Sequence, residues 1–355
     1  MLGERIKTAR EAAGWNQRQL AEKAGISAMA ISKYERGQSV PSSRVLLFLA
    51  GALGLRTEYF FRKSVVELEQ VDYREHEKLP EKEELKVRAD VVEQLERWLE
   101  LEQFIPTPWS VPFVYPTGLP AKIQSYDAIE DFAIVVRNAW DLGLNPIARL
   151  IDMLESKGIK VIITRYDEHK HFNGMAAKVN GSPIIVVGKH WPGDRQRFTL
   201  AHELGHLMLK GRLNGSIDEE AACHRFAGAF LVPKEKVHAA LGSKRSWLEP
   251  QELMMLKQEW GLSMAGWTYR ARNLDIINHS TMNTIWAHFN QHGWKEKEPD
   301  PQYPNENTLM FKQLVYRALG EEMLGEPKAA ELLGMSVMNL HRSRQMECPD
   351  GADSQ

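Results

Sequence analysis

The sequence predicts an α+β protein that is mostly helical. It reads as an N-terminal all-α bundle, an amphipathic linking helix, an α+β domain with a small sheet and a helical C-terminal region. Three observations predict this. Apolar stripes at helical spacing, punctuated by Gly14, Gly25 and Gly37, fill residues 2–53. Strand-like runs are confined to residues 159–187, where Asn180-Gly181 marks a hairpin. A length of 355 residues exceeds one small core and suggests two or three domains.

Composition narrows the class. An apolar fraction of 43% and a charged fraction of 26% are ordinary for a soluble globular protein. No run of about 18 apolar residues is present, so no membrane span is expected. The first residues, Met1-Leu2-Gly3-Glu4-Arg5-Ile6-Lys7, lack the apolar core of a secretory signal. Two cysteines, Cys223 and Cys348, cannot build a disulfide framework, and a reducing, cytoplasmic location is expected. The near-neutral total hides an asymmetry. Residues 1–64 hold 11 Lys and Arg against 5 Asp and Glu, and residues 65–104 hold 6 against 13. A basic head is thus joined to an acidic helix, and the head is the surface that suits phosphate.

Along the chain, residues 1–64 form the first domain. Ile6 and Ala9 begin an apolar stripe, Gln17 to Ala24 forms a second helix, and Ser27 caps a third that runs to Glu35. Pro41-Ser42 opens another through Leu53. Helix, glycine turn and helix at this spacing is the helix-turn-helix pattern.

Residues 65–120 read as the acidic helix and a linker. Leu85, Val92 and Leu99 repeat every seven residues, with Val91, Leu95 and Trp98 beside them. Packing on the next domain is the preferred role of this stripe, and dimerisation the alternative. Pro106, Pro108, Pro112, Pro116 and Pro120 then preclude a regular helix. Residues 121–245 hold two helices (125–141 and 146–157), a strand at 159–164, the hairpin, an apolar helix and a further helix from Asp218 to Phe230. Residues 246–355 are mostly helical, with a Pro-rich break at 299–304.

The apolar helix contains His202-Glu203-Leu204-Gly205-His206. Two His at i and i+4 face the same way, so their imidazoles reach one Zn²⁺, and Glu203 between them suits a general base. Catalytic zinc takes three protein ligands, and the helix after Asp218 offers Glu219 and Glu220. Glu220 is the expected third ligand and Glu219 the less favoured one. His224, one turn beyond Glu220, reads either as a group supporting the site or as a polar residue near the cleft. Cys223 reads as buried packing, and Gly205 as a place where another backbone approaches. One zinc per chain and hydrolysis of a peptide follow, the peptide adding to a sheet edge beside the helix.

In the head, Ser27, Ala28, Met29, Ser32 and Lys33 lie where a reading helix meets base edges. The apolar pair Ala28 and Met29 suits thymine methyl groups. Gln17, Arg36, Ser42, Ser43 and Arg44 are phosphate candidates. Ile26, Ile31 and Tyr34 fit the core. One such head binds weakly, so a homodimer on a two-fold DNA operator is expected.

Both halves resemble known families. Gly14-Trp15-Asn16-Gln17-Arg18-Gln19-Leu20-Ala21 through Ile31-Ser32-Lys33-Tyr34-Glu35-Arg36-Gly37 resembles the XRE (lambda/Cro-type) helix-turn-helix family. Arg195-Gln196-Arg197-Phe198-Thr199-Leu200-Ala201-His202-Glu203-Leu204-Gly205-His206, followed by residues 220–233, resembles the ImmA/IrrE zinc-peptidase family. The second resemblance implies a zincin-like fold and places the third ligand six residues before the Phe of an F-A-x-x-L-L-x-P run, which Phe226 sets at Glu220. His224 stands where that family commonly has Asn, and Ala222 where many relatives carry Glu. Together the resemblances imply a bacterial or phage regulator that cleaves a repressor-type protein in stress, mobile-element or toxin–antitoxin control. The alternatives are a non-catalytic repressor or antitoxin whose metal domain is a sensor or dimerisation scaffold, and a peptidase whose head binds protein. Two further segments, 252–273 and 328–342, look like helix-turn-helix fragments; packing helices with a possible dimer interface is their preferred reading.

Overall fold

The structure, a computed structural model, describes residues 2–55, 57–61, 68–73, 81–106, 111–164 and 172–346. Cys348 lies outside them. As the sequence predicts, the fold is mostly helical with one small sheet.

The head comprises α1 (Leu2–Ala12), α2 (Gln17–Ala24), α3 (Ala28–Glu35) and α4 (Ser43–Leu53), closed by a 3-10 turn at Thr57–Phe61. Its helices start and stop where local chemistry dictates. Asn16 accepts from Gln19 N while the Gln19 side chain accepts from Asn16 N, both at 2.9 Å, which satisfies two orphan donors of α2. Gly25 ends α2 with φ 66°, a conformation that favours glycine. Ser27 and Ser42 cap α3 and α4. Ile6, Leu20, Ile31 and Leu49 are fully buried at the centre.

The strand β1 (Glu69–Tyr73) and the helix α5 (Glu81–Glu102) follow. The apolar stripe of α5 differs from the predicted one. Leu85 is 38% exposed and Val92 and Leu99 are half-buried, whereas Val87, Val91, Leu95, Trp98 and Leu101 are buried. A straight helix of 3.6 residues per turn drifts off a seven-residue repeat, so spacings of four and three define the buried row. That row packs on the sheet and on C-terminal helices, and Arg5 of α1 pairs with Glu96 of α5 at 2.8 Å in a buried contact. Packing, the preferred role, is what the stripe does.

The sheet adds β2 (Lys160–Thr164), β3 (Gly174–Val179) and β4 (Ser182–Gly188) in the order β1-β3-β4-β2. β3 and β4 form the predicted hairpin, turning at Asn180 (φ 49°) and Gly181 (φ 77°), the two left-handed residues of a type I′ turn. β2 runs parallel to β4, and β1 pairs antiparallel with β3 through Tyr73↔Met175. No pattern in the sequence marks β1, which covers the β3 edge. Strand alternation splits the sheet between two cores. Ile184 and Val186 face the α5 side, and Ile185 and Val187 face the metal-motif side.

The second core is built by α6 (Tyr126–Ala139), α7 (Leu150–Ser156), α8 (Gly193–Leu209), α9 (Glu219–Leu231), α10 (Lys234–Leu241), α11 (Pro250–Trp260), α12 (Met264–Asn273) and α13 (His279–Gln291). α7 starts later than predicted, because its first amides, Leu150 N and Ile151 N, are bonded by Glu306 at 3.2 Å. The Pro-rich break is a pinned strap: Glu298 likewise accepts from Met264 N and Ala265 N at 3.1 and 2.9 Å, and Glu306 pairs with the buried Arg197. α14 (Met310–Gly320), α15 (Glu326–Leu332) and α16 (Val337–Arg344) return to α5.

Candidate metal centre and nucleic-acid interface

The centre lies where α8 and α9 pack side by side. Their close approach depends on Gly205. A Cβ there would meet Phe226 Cδ1 at 3.2 Å and Cys223 Cα at 3.3 Å, so the absent side chain lets the α9 backbone in. Cys223 is fully buried, as its packing role requires. Asp218 caps α9 by accepting from Ala221 N at 2.7 Å and so fixes where Glu219 and Glu220 emerge.

Three donor atoms converge. His202 Nε2 and His206 Nε2 lie 3.0 Å apart, His206 Nε2 lies 3.1 Å from Glu220 Oε1, and His202 Nε2 lies 3.4 Å from Glu220 Oε2. Ligands at zinc bond lengths in a tetrahedron sit about 3.3 Å from one another. Two imidazoles and one carboxylate at these separations fit a zinc ion as one face of its coordination sphere. His224 also brings a ligand atom within 4.8 Å of those of His202 and Glu220, so the three form a second grouping that could hold a metal ion. Its ring stacks on Phe198 and lies 4.6 Å from that of His202.

Glu219 has a different place from Glu220. Its Oε1 lies 3.1 Å from Nδ1 of His206, the ring nitrogen opposite the one in the triangle. A proton on Nδ1 donated to this carboxylate turns Nε2 inward as the lone-pair atom. In sequence, Glu219 reads as the less favoured ligand or as a first-turn acid that the helix dipole favours. The signal for its role was the pair of adjacent acids in a first helical turn, which reach different nitrogens of one ring.

Glu203 is 2% exposed. The start of β3 lies against it. A Cβ on Gly174 would stand 2.5 Å from Thr199 Cγ2, 2.8 Å from Val186 O and 3.5 Å from Glu203 Oε1. This end of the strand is held by Arg195, whose guanidinium bonds Asn173 Oδ1 at 2.6 Å and lies over the Trp191 ring. An open groove leads from His206 between α8 and the hairpin, lined by Tyr115, Ala176, Lys178, Ile184, Leu207 and Lys210.

The head presents a separate surface. Met29 is 68% exposed, and Lys33, Arg36, Ser43 and Arg44 are exposed beside it. Ala28 is half-buried and packs on the head core, with Ile26 and Tyr34, so it offers less surface than expected. The hydroxyls of Ser27 and Ser42 accept from Ala30 N and Val45 N as helix caps. Gln17 donates to Glu35 at 2.7 Å, a carboxylate that Arg10 also holds, and Ser32 lends its carbonyl to Arg36.

Comparison with known proteins assigns both regions. Residues 6–60 match the helix-turn-helix family model, and residues 154–272 match that of the IrrE N-terminal-like domain, a metallopeptidase family. Two regulators of Bacillus subtilis (strain 168) are similar. The SPbeta prophage-derived uncharacterized HTH-type transcriptional regulator YonR is 34% identical over 62 residues, 18% of this chain and 57% of its own length. The HTH-type transcriptional regulator ImmR is 38% identical over 65 residues, 18% of this chain and 51% of its own length. The chain thus spans about half the length of the curated relatives it matches. No solved structure matches it. The chain carries an XRE-type helix-turn-helix module followed by an IrrE N-terminal-like module. Among the described residues, no helix is long and apolar enough to cross a membrane.

Proposed function

We propose that this protein is a DNA-binding transcriptional regulator whose IrrE-like domain is a zinc-dependent peptidase. The observation that carries the reading is the triangle of His202, His206 and Glu220 donors with separations of 3.0 to 3.4 Å. When bound, Zn²⁺ supplies an electrophile that polarises a peptide carbonyl and acidifies water. Glu203 then takes a proton from the attacking water and returns it to the leaving amine. Glu219 holds the His206 ring in the orientation that donates Nε2. His224 stands at the rim, where an imidazole N–H suits an oxyanion. The groove from His206 along the hairpin receives substrate side chains.

The head brings this activity to an operator through Met29, Lys33, Arg36, Ser43 and Arg44, with Ser27, Ala28 and Ser32 beside them and Gln17 and Ser42 ordering the frame. Two chains bind a two-fold site. The substrate is a repressor-type protein, and the outcome is control of genes in stress, mobile-element or toxin–antitoxin settings.

The test starts from genomic DNA fragments retained by the full-length protein. Repressors encoded beside those fragments are purified and incubated with zinc-loaded protein. Cleavage is expected, with one zinc per chain, and falling about 10²- to 10⁴-fold in Glu203→Gln with DNA retention unchanged. Undiminished cleavage by that variant would remove Glu203 from the mechanism. No cleavage by either protein would leave the scaffold reading.

A further inference from the structure

The turn that joins α2 to α3 recurs near the other end of the chain. Ala21-Glu22-Lys23-Ala24-Gly25-Ile26-Ser27-Ala28-Met29-Ala30-Ile31-Ser32-Lys33 aligns without a gap on Ala330-Glu331-Leu332-Leu333-Gly334-Met335-Ser336-Val337-Met338-Asn339-Leu340-His341-Arg342. The same Ala, Glu, Gly, Ser and Met recur in place, and Lys33 meets Arg342.

The geometry repeats with the residues. Gly25 and Gly334 turn at φ 66° and 68°. Ile26 N and Met335 N each bond back to the alanine that opens the repeat, Ala21 O and Ala330 O, at 3.0 Å. Ser27 accepts from Ala30 N at 3.2 Å, and Ser336 from Asn339 N at 3.1 Å. Ile31 and Leu340 are both fully buried, while Met29 and Met338 stand 68% and 61% exposed. The preceding helices end alike. α1 closes with Trp15 N on Arg10 O, and α14 closes with Met323 N on Ala318 O.

A third fragment of the same form, α11 to α12, serves as an internal control. It too has a left-handed glycine, Gly261 (φ 65°), and a serine cap, Ser263. Its second helix is spent inside the protein. Met264 is 1% exposed, Trp267 and Thr268 are fully buried, and Glu298 fills its first amides. The packing reading holds for that pair. It does not account for α16, where Ser336, Val337, Met338, Asn339, His341 and Arg342 are all exposed.

We infer that α14–α16 is a second DNA-reading unit, with α16 entering a major groove. Met338 and Val337 suit thymine methyl groups, Asn339 suits an adenine edge, and Arg342 suits guanine or a phosphate. Both units rest on α5. Arg5 of α1 pairs with Glu96, Lys328 of α15 pairs with Glu100, and Gly334 abuts Arg97. One chain therefore carries two reading helices on a shared support. The inference rests on the head binding DNA, so the head supplies the control.

The test is a footprint of the full-length protein on a retained genomic fragment. It compares wild type, Met29→Glu and the double variant Met338→Glu with Arg342→Glu, with thermal melting confirming that each is folded. The double variant is expected to lose one protected patch and keep the other, to bind about 10-fold more weakly and to show a salt slope smaller by about 1. Met29→Glu loses the patch that the double variant keeps. Protection and affinity within twofold of wild type in the double variant would overturn the inference. So would loss of every patch at once, which marks α16 as a support and not a reader. Failure of wild type to protect any duplex would sink the reading of the head, and this one with it.

Discussion

The head and the metal centre solve opposite problems. In the head, most of the candidate DNA-contacting side chains lie on the surface, and the turns and caps beneath them are set by neighbours in sequence. In the centre, His202 and Glu203 are buried and are positioned by residues far along the chain. Two glycines show the contrast. Gly25 has nothing within 4 Å of a would-be Cβ, but its φ of 66° requires glycine. Gly174 is needed for space, because Thr199 and the Val186 carbonyl occupy the position of a Cβ. A surface reader tolerates change in side chains and not in turns. A buried centre is sensitive to a single methyl.

Removing the metal tests this contrast most strongly. A bound ion at a thousandfold excess over its dissociation constant adds about 4 kcal/mol to stability. A chelator is therefore expected to lower the melting temperature by several degrees while leaving DNA affinity unchanged. Equal loss of DNA affinity would mean that the two regions are one unit. Gly174→Ala comes next. It forces β3 off α8 at a cost of about 1–3 kcal/mol, and zinc content falls with it. Unchanged melting and zinc content would show that the strand yields easily.

Acidity gives a third test. Burial, aided by repulsion from Asp152, pushes the Glu155 carboxyl of α7 up to about 8 from its ordinary 4.5. Between those values the folded state keeps a proton that the unfolded chain has lost, so stability falls as pH rises through this window. Glu155→Gln removes the slope and is expected to stabilise the protein by roughly 1.4 kcal/mol or more near pH 8. Melts of both proteins at about pH 5 and about pH 9 measure it, and parallel curves would refute it. The smallest effect belongs to the head. Ser27→Ala loses one cap and about 1 kcal/mol, with zinc content untouched.

Legibility in the sequence follows the same division. Gly25, Ser27 and Ser42 announced the helix ends of the head, because caps and turns act over three or four residues. The hairpin and the histidine pair were legible for the same reason. On α5, Val91, Leu95 and Trp98 are buried as read, but the row Leu85, Val92 and Leu99 is not, because the buried face is chosen by the sheet and the C-terminal helices, which no window along the helix contains. β1 escaped notice, since its pairing with β3 joins residues about a hundred positions apart. Glu298 and Glu306 were equally invisible. Each completes the first turn of a helix distant in sequence, and nothing beside them hints at it.

The place of α5 has a consequence for inheritance. The two family matches leave residues 61–153 between them as if they were a dispensable spacer. Yet α5 supplies Glu96 to the buried Arg5 and a row of apolar residues to the sheet. A head transplanted without α5 would lose Glu96, the carboxylate that meets Arg5, and an IrrE-like module transplanted without it would bare one face of its sheet. A recombination event or an engineer that moves either module must carry this helix along.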